Sequence, residues 1–318
     1  MFIWRPSVVW LSEDSRSARV DTKAMPTTNG KAHEVKMSMN LTASDSTPNP
    51  GDYVLATGAK ALRRLLMLDD IYRTAGKRGL LKAGLKPGMR VADFGCGVGA
   101  MTRNLAGMVG PKGHATGIDL HQPQLEEAGN LCAGCGLSNV SFWKADACDT
   151  KLPENMFDLV YCRFLLIHVP DPLACLREMK RVLKPGGIIF TEDGDLQSGG
   201  STPSSALDHF GGLFERLGPK KGVDYRLGRD LYHLVRRAGF EDVETDIYQP
   251  AYSRGRERVF LKWSIEEAGA GLIDAGLLTS RELEYTLDQM QAASDDPNLL
   301  VLMPRMSQVS GRKAMSEE

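Results

Sequence analysis

The sequence predicts an α/β fold in which a parallel sheet is wrapped by helices. Two observations lead there. Short apolar strands alternate with helix-period segments from residue 90 to about residue 191, the rhythm of consecutive βαβ units. A glycine-rich turn, Gly95-Cys96-Gly97-Val98-Gly99, joins the first of these strands to a helix. The chain has 318 residues, 42% hydrophobic and 25% charged, close to the average of globular proteins. A chain of this size buries a core without disulfides or metals, and it suggests one large domain or one and a half.

Residues 1–50 carry no sustained periodicity and are rich in Ser, Thr, Asn, Asp and Lys, ending in Ser46-Thr47-Pro48-Asn49-Pro50. We expect a disordered arm there, with Met25, Met37 and Met39 as alternative starts. Residues 51–89 read as a helical cap. Leu62, Leu65, Leu66 and Asp69 fall three and four apart, and Gly84 and Pro87-Gly88 end the segment. The core spans residues 90–257. Its strands are expected at Arg90–Phe94, Ala115–Asp119, Val140–Ala145, Phe157–Cys162 and Gly187–Thr191, with helices at Gln124–Cys135 and Leu173–Leu183. Beyond Gly199 the rhythm changes. Helices are expected at Ser205–Leu217 and Leu231–Ala238, and a strand at Val243–Tyr248. Residues 258–293 look helical throughout, within an insertion over 258–296 that holds a capping box of Thr279 and Glu282. Residues 297–318 supply terminal strand material and a tail.

Charge and cysteine usage narrow the function. Lys and Arg total 39 against 40 Asp and Glu, a net charge of −1, which argues against a nucleic-acid binder. No run of apolar residues is long enough to span a membrane. The six cysteines lie between Cys96 and Cys175 in core-like segments, and the apolar start of the chain carries Arg5 and Pro6 without a nearby cleavage site. Both point to the reducing cytoplasm. Cys132-Ala133-Gly134-Cys135 lacks a second pair for zinc and a thioredoxin-like context for redox work, so no metal is expected.

The glycine loop fits two ligand classes, and Asp93 separates them. A dinucleotide would rest its pyrophosphate on this loop and helix N-terminus, where Asp93 would repel it. S-adenosylmethionine has no phosphate and carries a sulfonium and an ammonium, which a carboxylate attracts. Asp119, at the end of the second strand, is placed for ribose hydroxyls in either ligand.

Four segments in order then resemble the class I S-adenosylmethionine-dependent methyltransferases, in particular the ubiquinone/menaquinone-biosynthesis-type branch of small-molecule enzymes. They are Val91–Gly99, Ala145-Asp146-Ala147, Phe157–Val160 with Arg163 and His168–Pro172, and Leu183–Gly187. The likeness covers roughly residues 53–248. It implies a Rossmann-like sheet with helices on both faces, an antiparallel last strand and helical lid elements, including the substrate-side segment 199–230. It also implies roles by position. Asp93, Gly95, Cys96, Gly97 and Gly99 would hold the amino-acid end of S-adenosylmethionine. Asp119 would bind the ribose and Leu120 would pack on the adenine. Asp146 would accept from the adenine amino group, the Ala147 N–H would meet a ring nitrogen, and Arg163 would lie near the methionine moiety.

The acceptor side is read from the residues alone. Candidate bases beyond the strand ends are His168, Glu192, Asp193 and Asp195. The bland reading of His168 is a packed histidine ending a helix, and that of the acids is capping or solvation. His209 and His233 rank lower, and Tyr53 and Tyr72 are either pocket lining or core. The expected activity is methyl transfer to O, N or C of a small organic molecule, without nucleic acid and without membrane insertion. The rivals are RNA or protein methylation on the same fold, a nicotinamide-dependent oxidoreductase disfavoured by Asp93, and a non-catalytic cofactor-binding partner of another enzyme.

Overall fold

A computed structural model of the chain describes residues 59–315. The expected arm over residues 1–50 and Tyr53 lie outside the described residues. The elements in chain order are α1 (Ala59–Ala83), β1 (Arg90–Phe94), α2 (Ala100–Val109), β2 (His114–Asp119), α3 (Gln122–Gly134), β3 (Val140–Lys144), β4 (Phe157–Arg163), α4 (Pro172–Val182) and β5 (Leu183–Asp195). They continue with β6 (Gly200–Thr202), α5 (His209–Lys221), α6 (Leu231–Arg237), β7 (Glu241–Tyr248), β8 (Ala251–Tyr252), α7 (Phe260–Asp274), α8 (Ser280–Asp295), β9 (Leu300–Leu302) and β10 (Arg305–Arg312).

Seven strands form the main sheet in the order β3-β2-β1-β4-β5-β10-β7. The first five are parallel to one another, and β10 runs antiparallel to both β5 and β7. This is the Rossmann-like, mostly parallel sheet with an antiparallel last strand. The order doubles back at β1, which pairs β2 on one side and β4 on the other. A crevice beyond the carboxyl ends of the strands opens at such a switch point.

Both faces of the sheet are buried because the strand side chains alternate. Val91, Leu159, Tyr161, Ile188 and Phe190 point to one face and pack with Leu80 of α1 and with Met101, Leu105 and Val109 of α2. Ala92, Val160, Cys162 and Ile189 point to the other and pack with Leu176 and Met179 of α4 and Leu231 and Val235 of α6. α1 lies close on the sheet because Gly76 and Gly79 face Glu192 and Phe190. A Cβ at Gly76 would come within 2.7 Å of Glu192 Oε2, and one at Gly79 would overlap the Phe190 ring.

Two expectations about elements change and two gain their bounds. The fifth strand is longer than Gly187–Thr191, because β10 pairs with it from Arg305↔Asp195 to Arg312↔Ile188. Glu192, Asp193 and Asp195 therefore belong to a central strand and do not form a loop leaving it. The helix expected from Ser205 begins at His209, after a single 3₁₀ turn at Ala206–Asp208. The stretch 258–293, expected to be helical with a cap at Thr279, is the two helices α7 and α8. α7 stops before Gly276, whose φ of +66° suits glycine, and Thr279 caps α8 by exchanging bonds with Glu282. The terminal segment divides: β9 joins β6 and β8 in a separate three-stranded sheet, while β10 enters the main one.

Candidate active site

The cavity at the switch point has a volume of about 390 Å³ and runs from the glycine loop to a chamber of aromatic side chains. At the loop end the chain leaves β1 through Gly95, Gly97 and Gly99, with φ of +67°, +52° and +71°, a left-handed backbone that side chains disfavour. The tight path has two anchors: the Cys96 N–H donates to Ile118 O at 3.0 Å, and the Gly97 N–H donates to Asp119 Oδ2 at 2.8 Å. Asp119 Oδ1 accepts from the His121 N–H at 3.0 Å. The second-strand carboxylate thus holds the loop in place as well as lining the cavity.

Asp93 lies one residue before the end of β1, 3% exposed, and accepts from Thr102 Oγ1 at 2.6 Å. Burial raises its pKa to about 7, with Thr102 and Arg163 opposing the shift. A cation bound here would favour the ionised form. Arg163 ends β4. Its Nη2 donates to Asp69 Oδ1 of α1 at 2.9 Å, and its Nη1 is buried with no hydrogen-bond partner. Burial opposes its charge, but the Glu192 and Asp69 carboxylates outweigh burial and keep the guanidinium protonated. Phe164, at a φ of +51°, turns the chain so that Phe164 and Leu165 reach the cavity.

The adenine corner that the sequence suggested lines the same cavity. Leu120 is 54% exposed at its rim, and Ala145, Asp146 and Ala147 form an adjoining wall. Asp146 Oδ1 accepts from the Cys148 N–H at 2.8 Å, so its turn is already formed.

The structure brings His168 to the cavity but not the strand-five acids. His168 ends the 3₁₀ turn Leu166–His168 and meets the Tyr225 ring edge-on, with centroids 5.5 Å apart. Burial, with help from Arg64, lowers its pKa to about 3, so the imidazole is neutral at ordinary pH. Glu192 and Asp193 were candidate bases, but both are fully buried away from the cavity. Glu192 faces α1, accepting from Tyr161 Oη at 2.5 Å and from Gln308 Nε2 at 2.7 Å. Asp193 faces the opposite side and accepts from the Leu166 N–H at 2.9 Å, which fixes the turn that carries His168. Asp195 receives Arg229 Nε and Arg305 Nη2, each at 2.8 Å. Strand alternation and pairing with β10 account for all three placements. Tyr72 is core, donating from its hydroxyl to Pro304 O at 3.0 Å. His209, His233 and the Cys132–Cys135 pair lie outside the cavity. Among the described residues no group of His, Cys, Asp and Glu could hold a metal ion.

Three residues of the site were not singled out for it: Asp69 and Arg64 on α1, and Glu267 on α7. Asp69 was noted only for its helical spacing. Arg64 reads with Arg63 as a polar helix face and Glu267 adjoins Glu266, and their partnership spans 203 positions.

Comparison with known proteins agrees with this geometry. Residues 92–191 match the family model described as a methyltransferase domain. The chain resembles methyltransferases over that stretch. Over 113 residues, 36% of this chain, it is 40% identical to a demethylmenaquinone methyltransferase of Staphylococcus aureus, covering 46% of that protein. Over 106 residues, 33% of this chain, it is 40% identical to a sterol 24-C-methyltransferase of Gibberella zeae, covering 27% of that protein. The chain thus spans between about a quarter and a half of the curated relatives it matches. Among solved structures, a putative methyltransferase from Bacillus halodurans matches 76% of this chain and all of its own, with a TM-score of 0.54 and 20% identity. The [4+2]-cyclase SpnF matches 76% of this chain and 82% of its own, with a TM-score of 0.51 and 23% identity. These likenesses establish the fold of the methyltransferase domain. No helix among the described residues is long and apolar enough to cross a membrane.

Proposed function

We propose that this chain transfers the methyl group of S-adenosylmethionine to an oxygen, nitrogen or carbon nucleophile of a small organic molecule. One observation carries the reading: a single cavity joins the Asp93 and Asp119 carboxylates to a chamber of aromatic side chains suited to an apolar acceptor. S-adenosylmethionine supplies a methyl group made electrophilic by its sulfonium. The chain's own residues do the rest. Asp93 and the Gly95–Gly99 backbone receive the cationic amino-acid end, with Cys96 packed beneath. Arg163 Nη1, buried and unpartnered, suits the carboxylate of that end. Asp119 takes the ribose, Leu120 covers the adenine, and Asp146 with the Ala147 N–H reads its edge.

The chamber aligns the nucleophile and excludes water, which is where most of the acceleration arises in such a reaction. Of the expected bases, His168 alone faces the cavity, as a neutral but weakly basic imidazole. An acceptor that needs little help with its proton suits it best. The six cysteines are all thiols, in keeping with action in the reducing cytoplasm.

Calorimetry with S-adenosylhomocysteine tests the proposal. The wild-type chain should bind it, Asp119→Ala should weaken binding at least tenfold, and NADH should not compete. Unchanged affinity in the variant removes Asp119 from the cofactor site, and tight NADH binding overturns the reading.

A further inference from the structure

The chamber beyond the glycine loop is walled by Phe164, Leu196, Phe210, Phe214 and Phe260. A charged pair stands among them. Arg64 Nε of α1 donates to Glu267 Oε2 of α7, and the two side chains are 9% and 6% exposed. Both residues line the cavity. The second carboxylate oxygen, Glu267 Oε1, is buried and has no hydrogen-bond partner. Phe260, Ser264 and Glu267 sit at i, i+4 and i+7 and all line the cavity, so one face of a helix aims Glu267 into it. The Ser264 hydroxyl is already committed, donating to Phe260 O at 3.0 Å.

We propose that Glu267 Oε1 is the polar anchor of the acceptor site, accepting a hydrogen bond from an uncharged hydroxyl on an otherwise apolar molecule. This deepens the methyl-transfer reading and rests on it for the word acceptor, while the binding chemistry stands by itself. The aromatic walls take the apolar body. Arg64 balances the Glu267 charge, so the anchor is a neutral pair with one vacant acceptor position. A ligand carboxylate would meet Oε1 and be repelled, and a ligand ammonium would add an unbalanced buried charge to a pair that is already neutral. The nearby His168 adds no charge, because burial and Arg64 keep it neutral. An uncharged donor satisfies the orphan oxygen, whose desolvation is otherwise uncompensated, without adding net charge to the buried pair.

Three ligands with one compact body test this: 1-adamantanol, 1-adamantylammonium and 1-adamantanecarboxylate. Each is titrated by calorimetry into the full chain at pH 7, with and without saturating S-adenosylhomocysteine. The alcohol should bind at least tenfold tighter than either ion. In the double variant Arg64→Met with Glu267→Leu, which removes the pair without stranding a charge, that preference should vanish, with S-adenosylhomocysteine titration as the control for folding. Equal binding of the three heads by the wild type, no binding of the alcohol, or a preference that survives in the double variant overturns the proposal. If the alcohol preference holds while S-adenosylhomocysteine fails to bind, the methyl-transfer reading falls and the anchor stands.

Discussion

Asp69 of α1 holds Arg163 of β4 at 2.9 Å and leaves Arg163 Nη1 buried and unpartnered beside the glycine loop. Asp69 also accepts from Arg73 Nη1 at 2.9 Å, so the guanidinium is fixed by a carboxylate that is itself fixed. The pair joins the helical cap to the fourth strand and points the spare nitrogen at the site proposed for the cofactor's carboxylate.

Asp69→Ala should therefore act in two ways. Removing one partner of a buried pair strands the other charge and costs about 3–5 kcal/mol of stability. Freed from its partner, Arg163 also loses its aim, so affinity for S-adenosylhomocysteine should fall roughly tenfold, about 1.4 kcal/mol. Urea unfolding and calorimetry measure the two effects separately. A variant that unfolds more easily yet binds unchanged would reduce the pair to a structural tie.

Asp93 gives a pH dependence with a definite sign. Its pKa is raised to about 7 by burial, so the folded chain binds this proton more tightly than the unfolded chain. Stability from this group is complete below its ordinary carboxylate value and declines as pH rises toward 7. Ligand affinity runs the other way. The sulfonium and ammonium of S-adenosylmethionine favour the ionised carboxylate, so binding should strengthen from pH 6 to pH 8 and release protons near pH 6. Calorimetry in buffers of different ionisation enthalpy counts those protons. Asp93→Asn should bind weakly at every pH with the release gone.

Glu192→Gln separates a structural from a chemical role. Glu192 receives Tyr161 and Gln308 in the core between β5 and α1. Burial raises its pKa, with Arg163, Tyr161 and Gln308 opposing. The amide keeps the shape but cannot accept at both positions, so a loss of about 1–3 kcal/mol in unfolding free energy is expected. S-adenosylhomocysteine affinity should remain within about threefold of wild type, less than 1 kcal/mol. A large loss of affinity without a loss of stability would return Glu192 to the site.

The parallel half of the sheet was legible because each piece is local. The strand Arg90–Phe94, its glycine turn and the carboxylates Asp93 and Asp119 sit within a span that one βαβ unit covers, and their residue types follow from backbone geometry and charge. What escaped the sequence depends on distant contacts. The length of β5 is set by β10, and Glu192 turns inward because Gly76 and Gln308 meet it there. The Arg64–Glu267 pair exists only once α1 and α7 pack, and neither helix announces the other. The start of α8 is legible in the capping box of Thr279 and Glu282, while the end of α7 before it has a quieter signal. Gly276, the residue that permits that end, was there to be read.

The place of β10 bears on biosynthesis. Arg305 pairs with Asp195 across 110 positions, and the strand it begins slots between β5 and β7. Until β10 is made, β5 lacks a partner on its outer side and β7 lacks any place in the sheet, and their unsatisfied backbone groups are a template for association with other nascent chains. Closure of the sheet comes late and at the cost of a long loop, so chaperone demand during synthesis should centre on the interval between translation of Asp195 and of Arg312.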